Sequence, residues 1–383
     1  MPDNGQILVN PDALPPEDVR AGGPEDGTAL CLSGGGYRAM VFHIGALWAL
    51  NDHGWLPKLD RVSSVSGGSI TAAVLAVSWP ALEFDATGRA RQFAAKVVEP
   101  LRALARKTID VPSVVRGIFG RGSIADRVSA TYDRELFHGA TLQQLPKTPL
   151  FVINATNVQS AALFRFTRPY IWDYRVGRID DPGVALADAV AASSAFPPVL
   201  SPLTLDLSKY KFAPNSGTDL ERPPFTTKAV LTDGGVYDNM GLETAWKRYR
   251  RVLVSDAGGK TAPEGDPPTD WARHALRVND LIDNQVRSLR KRQVIASFGT
   301  THEGTYWSIR SDIKKYAAGG ALPCPVDRAL LLAAIPTRLQ AVDDEVQERL
   351  INWGYGIADA AMRRHVDATL VAPRDFPYPG RGI

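Results

Sequence analysis

The chain has 383 residues, of which 44% are hydrophobic and 22% are charged, and its formal net charge is +3. This balance is typical of a globular protein with a sizeable core and argues against a disordered or fibrous chain. The sequence has no alternation of basic and aromatic residues of the kind that would indicate nucleic-acid binding. The only two cysteines, Cys31 and Cys324, are too few for a disulfide framework and favour a reducing compartment.

Residues 1–27 begin as a polar, proline-bearing stretch, and we expect them to form an N-terminal extension. The stretch has no apolar h-region, so the sequence predicts no secretory signal. No run in the chain reaches the roughly 18 apolar residues that a membrane span needs. We therefore expect a cytoplasmic protein, with peripheral contact with a membrane as an open alternative.

The first candidate site follows residues 29–32, an apolar run that predicts a buried strand. Gly34, Gly35 and Gly36 come next, and apolar residues at helical spacing predict a buried helix over 37–50. Consecutive glycines bring free backbone N–H groups close to a ligand, and the positive end of a helix favours negative charge. The loop therefore predicts a cradle for a phosphate or an oxyanion.

The second candidate site is Ser66, at the junction of a predicted strand over 61–65 and a predicted helix over 67–78. Its small neighbours Ser64, Gly67 and Gly68 permit the tight turn that exposes a nucleophilic serine Oγ. Such a nucleophile needs nearby N–H groups to hold the oxyanion that its attack creates. The glycine loop one strand upstream would supply them.

The third candidate is Asp233, which follows the apolar run 229–231 and precedes two glycines. Asp and Gly also dominate ordinary turns at strand ends, so a plain turn is the alternative interpretation. Asp256 shows the same pattern of strand, aspartate and small residues after 252–254. We prefer Asp233 because of the motif that surrounds it.

In this order, the motifs resemble those of the patatin-like phospholipase family, serine acylhydrolases with a Ser-Asp dyad. The resemblance covers roughly residues 28 to 260. At the first position of the elbow this chain has Ser64, where the family usually has glycine. Four segments carry the resemblance: residues 34–38, 64–68, 233–235 and, more loosely, 192–198.

The resemblance implies a three-layer α/β/α fold with a largely parallel central sheet and additional helices. It implies that Ser66 attacks an ester carbonyl, that Asp233 takes the proton, and that the amides of residues 34–36 bind the oxyanion. Arg38 would brace this oxyanion loop or add positive charge. The implied protein is a lipid acyl hydrolase of the phospholipase A or lysophospholipase type. Its substrate would be a lipid or another acyl ester. Independently of the resemblance, Asp, Glu and His do not cluster at metal-ligand spacing in the sequence, so we expect no metal and no other cofactor.

Two other functions remain open. A Ser-His-Asp esterase of the α/β-hydrolase type would use His274 or His302 as its base, whereas His43 lies in a predicted buried helix. A catalytically silent protein could bind lipid, or it could bind a nucleotide, because Gly34-x-Gly36-x-x-Ala39 satisfies the dinucleotide fingerprint. The acidic residue that should close the next strand for a nucleotide is missing.

We expect a catalytic core over 28–260 and a helical part over 261–383 that packs on the same domain. Further strands are predicted over 150–155, 229–232 and 252–255, and parallel pairing would place Ser66 and Asp233 at one carboxyl edge. Residues 201–227 predict a long loop. An apolar stripe over 339–350 and a second helix over 352–366 are predicted near the end.

Two features suggest contact with anionic lipid. Apolar residues alternate with arginines over 111–124, which is typical of an interfacial segment or of a small helix packed on the core. Basic residues also cluster at Lys247 to Arg251 and at Arg287 to Arg292, although most such runs are merely solvated faces.

Overall fold

A computed structural model describes residues 23–109 and 123–383 of the chain. Most of the predicted N-terminal extension and residues 111–122 of the predicted interfacial segment lie outside the described residues.

Ten strands of the described part form one sheet, and helices cover it. The strands are β1 (Glu25–Leu32), β2 (Arg61–Val65), β3 (Leu150–Asn157), β4 (Ala162–Phe166), β5 (Tyr170–Asp173), β6 (Gly177–Asp180), β7 (Leu203–Asp206), β8 (Lys228–Asp233), β9 (Tyr249–Asp256) and β10 (Glu303–Ser308). The α-helices are α1 (Gly36–Asp52), α2 (Gly67–Ser78), α3 (Glu99–Ala105), α4 (Ile124–Tyr132), α5 (Leu186–Ser193), α6 (Gly235–Asp238), α7 (Trp271–Ser297), α8 (Val326–Ala333) and α9 (Asp344–His365).

The centre of the sheet is parallel. Strands β10, β9, β1, β2 and β3 lie side by side in that order, each parallel to its neighbour. All five residues of β2 are buried, which is typical of a strand covered by helices on both faces. The predicted α/β fold with a largely parallel sheet is confirmed. Antiparallel strands β4, β5 and β6 extend it on one side.

Strand β8 departs from the prediction because it runs antiparallel to β3. The other edge of β3 is taken by β4, so β2 and β8 must share the remaining edge. On that edge Val65 of β2 pairs with Asn154, and Asp233 of β8 pairs with Ala155. The two strands therefore meet end to end, and Asp233 arrives at the point where β2 leads into Ser66.

The predicted long loop over 201–227 is partly wrong, because it contains strand β7. Leu203 of β7 pairs with Leu231 of β8, and Asp206 pairs with Lys228. The alternation of buried and exposed residues in this short strand is the pattern of an edge strand with one solvated face. Four residues were too few to stand out in a polar segment.

The end of the chain also differs from the prediction: one continuous helix, α9, contains the second part of the predicted stripe and nearly all of the predicted second helix. It packs along α1, which is buried on nearly all sides. A Cβ built on Gly45 would lie 1.9 Å from the carbonyl oxygen of Ile351, and one on Gly354 would lie 2.0 Å from that of Phe42. The two glycines thus let the helix backbones touch.

Candidate active site

Ser66 sits on a sharp turn between β2 and α2. Its backbone has φ 52° and ψ −121°, a conformation that costs a non-glycine residue free energy and is concentrated at functional sites. A Cβ built on Gly67 would lie 2.1 Å from the carbonyl oxygen of Gly36, and one on Gly68 would lie 2.4 Å from that of Leu32. The serine turn therefore packs directly against the glycine loop.

Hydrogen bonds from buried hydroxyl groups hold this turn in place. The Ser66 amide donates to Ser193 Oγ at 3.0 Å, and Ser193 Oγ donates to the carbonyl of Asn154 at 2.6 Å. Ser69 Oγ lies 2.8 Å from Ser193 Oγ and donates to Ser64 Oγ at 3.0 Å. Ser64 is thus a hydrogen-bonded member of this network, which explains how a serine is accommodated at that position.

Asp233 ends β8 and is 2% exposed. Its Oδ1 accepts the Gly235 amide at 2.7 Å, while its buried Oδ2 meets no donor of the described residues in good hydrogen-bond geometry. The Ser66 hydroxyl is nevertheless close enough to oppose the rise in its pKa. Burial dominates and raises the pKa of Asp233 to about 7, because the carboxylate loses hydration. The group can therefore exchange a proton near neutral pH.

The glycine loop lies against the serine turn, since a Cβ built on Gly34 would be 3.1 Å from Ser66 Cβ. The Gly34 amide donates to the carbonyl of Asn239 at 2.9 Å, so it is already used. Among the described residues, nothing accepts a hydrogen bond from the amides of Gly35 or Gly36. These two N–H groups, at the start of α1, are available to an anion.

Arg38 connects the glycine loop to two other loops of the protein. Its buried guanidinium donates to the carbonyl of Ala257 at 2.9 Å and to Thr337 Oγ1 at 3.0 Å, and it also reaches the carbonyl of Ile335. Burial, with a smaller contribution from the nearby Arg310, lowers the pKa of Arg38 to about 10. These contacts fit the bracing role expected for Arg38.

Asn239 also lies at the site, although no pattern in the sequence marks it as a candidate. Its Oδ1 would lie 2.4 Å from a Cβ on Gly34 and 2.6 Å from one on Gly235, which places it between the glycine loop and the Asp233 turn. Ser193 and Asn154 were also missed. Ser193 lies in the loosely matching segment 192–198, which was its only signal, and Asn154 lies within a strand that reads as plain core.

The two histidines considered as alternative bases lie elsewhere. His274 is exposed, and its Nδ1 lies 3.1 Å from the carbonyl oxygen of Pro268. His302 Nε2 lies 2.8 Å from the carbonyl oxygen of Trp246, whose indole donates to its Nδ1. Within the described residues, neither ring is hydrogen-bonded to Ser66 or to Asp233.

The remaining candidates have structural partners. His43 is fully buried between the Ser33 carbonyl and Ser255 Oγ, each 2.9 Å away, and burial lowers its pKa to about 4. Asp256 accepts the Tyr306 hydroxyl at 2.6 Å, so its carboxylate is occupied at the end of β9. Both groups help to position the strands around the glycine loop.

Across residues 23–109 and 123–383, no cluster of three or more His, Cys, Asp or Glu side chains has an arrangement suited to a metal ion. In the same ranges, no helix combines the length and the apolar character required to cross a bilayer.

The fold is that of solved phospholipases A2. The structure of human GIVD cytosolic phospholipase A2 matches with a TM-score of 0.53 at 12% identity, covering 88% of this chain and 61% of that one. Its complex with methyl gamma-linolenyl fluorophosphonate inhibitor and terbium chloride gives a TM-score of 0.51 at 15% identity, covering 90% and 58%. This chain therefore spans about three fifths of their length.

Sequence comparison gives the family. No curated protein sequence matches the chain, but the family model for patatin-like phospholipase matches residues 30–246. The match covers more than half of the chain and contains the serine turn, the glycine loop and Asp233. The chain belongs to the patatin-like phospholipase family.

Proposed function

We propose that the protein is a lipid acyl hydrolase that cleaves a carboxylic ester through an acyl-Ser66 intermediate. One observation carries the proposal: Asp233, with a pKa raised to about 7, lies beside a serine held in a strained turn. A general base is most effective when its pKa is near the working pH. Family membership supports a lipid as the substrate.

In the first half of the reaction, the Ser66 hydroxyl attacks the ester carbonyl carbon while its proton passes to the Asp233 carboxylate. The carbonyl oxygen becomes an oxyanion, which the free amides of Gly35 and Gly36 would stabilise. The intermediate then expels the alcohol, and Asp233 returns the proton to the leaving oxygen. Ser66 is left acylated.

In the second half, a water molecule attacks the acyl carbon of Ser66 and Asp233 takes one of its protons. The same two amides would hold the second oxyanion. When the intermediate collapses, the proton moves to Ser66 Oγ and the free fatty acid leaves. The sequence of steps returns both side chains to their starting protonation states, so no further base is needed.

Labelling with a lipid fluorophosphonate tests the nucleophile, because this class of reagent phosphonylates activated serines. A reagent of this class is bound in one of the human phospholipase A2 structures with the same fold. We expect the parent protein to be labelled at Ser66. Ser66→Ala should prevent labelling and lower lipid turnover by about three orders of magnitude or more.

The matched control is Ser78→Ala, at the exposed end of the same helix α2, which should keep parent labelling and turnover. Intact-lipid mass spectrometry of a defined mixture then identifies the ester that is cleaved. A folded parent protein that is neither labelled nor active on any lipid of the mixture would contradict the proposal and favour a silent binding protein.

A further inference from the structure

Helix α7 has an unusual orientation on the protein. Six residues spaced three or four apart form one apolar side, which we call the α7 stripe: Trp271, Ala275, Val278, Ile282, Val286 and Leu289. Trp271 is 86% exposed, Ile282 57% and Leu289 51%. A surface helix normally buries such a side against the core.

The opposite side of α7 is the one that packs on the protein. Arg287 donates to the Gly259 carbonyl, Lys291 lies over the ring of Tyr306 at 5.8 Å, and Val294 is fully buried. These residues recur at helical spacing and face away from the α7 stripe. The contacts with the protein therefore come from this side, over residues 287–294, and the apolar side is exposed along the whole helix, which indicates an apolar partner for the stripe.

The same helix borders the candidate active site. A Cβ on Gly258 would lie 2.8 Å from Arg287 Nη1 and 3.0 Å from Asn239 Nδ2, so α7 is adjacent to the residue that joins the glycine loop to Asp233. Arg290 also pairs with Glu243 at 3.1 Å, just beyond α6. A partner on the α7 stripe would lie on the other side of this helix from the site, about one helix diameter away, roughly 10 Å.

The charges of α7 favour an anionic partner. Four of its six Lys or Arg residues are ion-paired with acidic side chains: Arg273, Arg277, Arg287 and Arg290. Arg292 is exposed beside the stripe, and no acidic side chain of the described residues forms an ion pair with it. An exposed apolar side with a cation beside it and a tryptophan at its end is typical of a helix lying in a lipid interface.

We propose that the α7 stripe docks the protein on an anionic lipid surface, with Ile282 and Leu289 entering the acyl region. The choice of lipid over another macromolecule rests on the proposed function, because the substrate is then part of that surface. Docking through α7 would deliver lipid beside Ser66 without any helix crossing the bilayer.

Cosedimentation with vesicles of phosphatidylcholine and phosphatidylglycerol tests the proposal, using full-length protein carrying Ser66→Ala so that the vesicles stay intact. Ile282→Asp with Leu289→Asp should lower vesicle binding more than about tenfold, because each change removes an apolar anchor and adds negative charge. The matched control is Leu331→Asp with Val371→Asp, which changes two exposed apolar residues away from α7. It should bind within about twofold of the parent.

A label that senses polarity, attached at Ile282→Cys, tests which occupant covers the α7 stripe. It should report a polar environment in buffer and an apolar one with vesicles. An apolar signal in buffer that grows with protein concentration would assign the stripe to a second copy. A constant apolar signal in buffer would assign it to another segment of this chain. Either result, or equal vesicle binding by the stripe variant and the parent, would overturn the proposal.

Hydrolysis of a short soluble ester separates this proposal from the enzymatic one. With Ser66 intact, the stripe variant should hydrolyse that ester at the parent rate and lose activity only on vesicles. If the parent binds vesicles through the α7 stripe but hydrolyses nothing, docking stands and the proposed function fails. If the stripe variant and the parent hydrolyse both the soluble ester and the vesicle lipid at equal rates, the docking proposal fails and the proposed enzymatic function stands.

Discussion

At the scale of single residues, the burial of Asp233 is the feature on which the proposed chemistry depends. A carboxylate in water is a weak base, with a pKa near 4. In this site the carboxyl is buried, and only the Gly235 amide and the Ser66 hydroxyl oppose the resulting rise in its pKa to about 7. In the proposed mechanism, this rise in pKa is what would let a single aspartate act as the base without a histidine.

The pH dependence of kcat/KM on a soluble ester should follow this group. Asp233 must be ionised to accept the proton, so activity should fall as the pH drops below about 7. Asp283 raises the pKa of Asp233 by charge repulsion. Asp283→Asn should therefore move the acidic limb of the profile to lower pH.

Asp327→Asn, at the start of α8, removes an equal charge elsewhere and should leave the acidic limb in place. An acidic limb near pH 4 in the parent protein, the range of a solvated aspartate, would mean that Asp233 is not the buried base.

At the scale of secondary-structure elements, the serine turn and the glycine loop behave as one unit. Gly67 begins α2 within contact of Gly36, the first residue of α1. Ser66 and the free amides of Gly35 and Gly36 are therefore held by two helix starts that touch each other. Arg38 fastens the same unit to Ala257 and to residues 335–337.

Gly67→Ala should damage catalysis through this contact. The new Cβ would lie 2.1 Å from a backbone oxygen, so one of the two turns must shift. A displacement of about 1 Å at reacting groups can cost about a hundredfold in rate, and we expect a loss of that order in kcat for ester hydrolysis.

Gly319→Ala serves as the control, because a Cβ there meets nothing within 4 Å. Rates are to be normalised to the folded fraction measured by circular dichroism. A folded Gly67→Ala protein with parent kcat would show that the two turns are not coupled.

Strand order and direction mark the limit of prediction from sequence at this scale. The motifs around Ser66 and Asp233 could be found because they occur together and in the order of the family's motifs, whereas Asp233 alone could not be told from an ordinary turn at a strand end. The direction of β8 could not, since apolar runs of parallel and antiparallel strands look alike. Likewise, the roles of Asn154, Ser193 and Asn239 depend on contacts between distant segments, which no local pattern encodes.

At the scale of the whole molecule, the C-terminal region contributes to the same sheet and core. Strand β10 extends the parallel strands beside β9, and α9 packs on α1 behind the glycine loop. The stripe predicted over 339–350 and the second helix predicted over 352–366 meet in α9, and Gly354 lies within that helix. That glycine is required by the contact with α1.

Gly354→Ala should lower global stability, because its Cβ would lie 2.0 Å from the Phe42 carbonyl oxygen and force the two helices apart. Overpacking of this kind costs about 1–3 kcal/mol, which thermal unfolding should detect as a lower Tm. Gly265→Ala, where a Cβ meets nothing within 4 Å, should leave Tm close to that of the parent. A Gly354→Ala protein with parent Tm would show that α1 and α9 can separate freely.

The end-to-end arrangement of β2 and β8 along β3 constrains how this chain can change its length. Inserting one residue between Asn154 and Ala155 would slide Asp233 about 3.3 Å along the strand and turn alternate side chains to the opposite face. Insertions in the connection from β7 to β8 would leave that spacing untouched. In related sequences, insertions and deletions should therefore accumulate in the connection from β7 to β8 and be absent from the middle of β3.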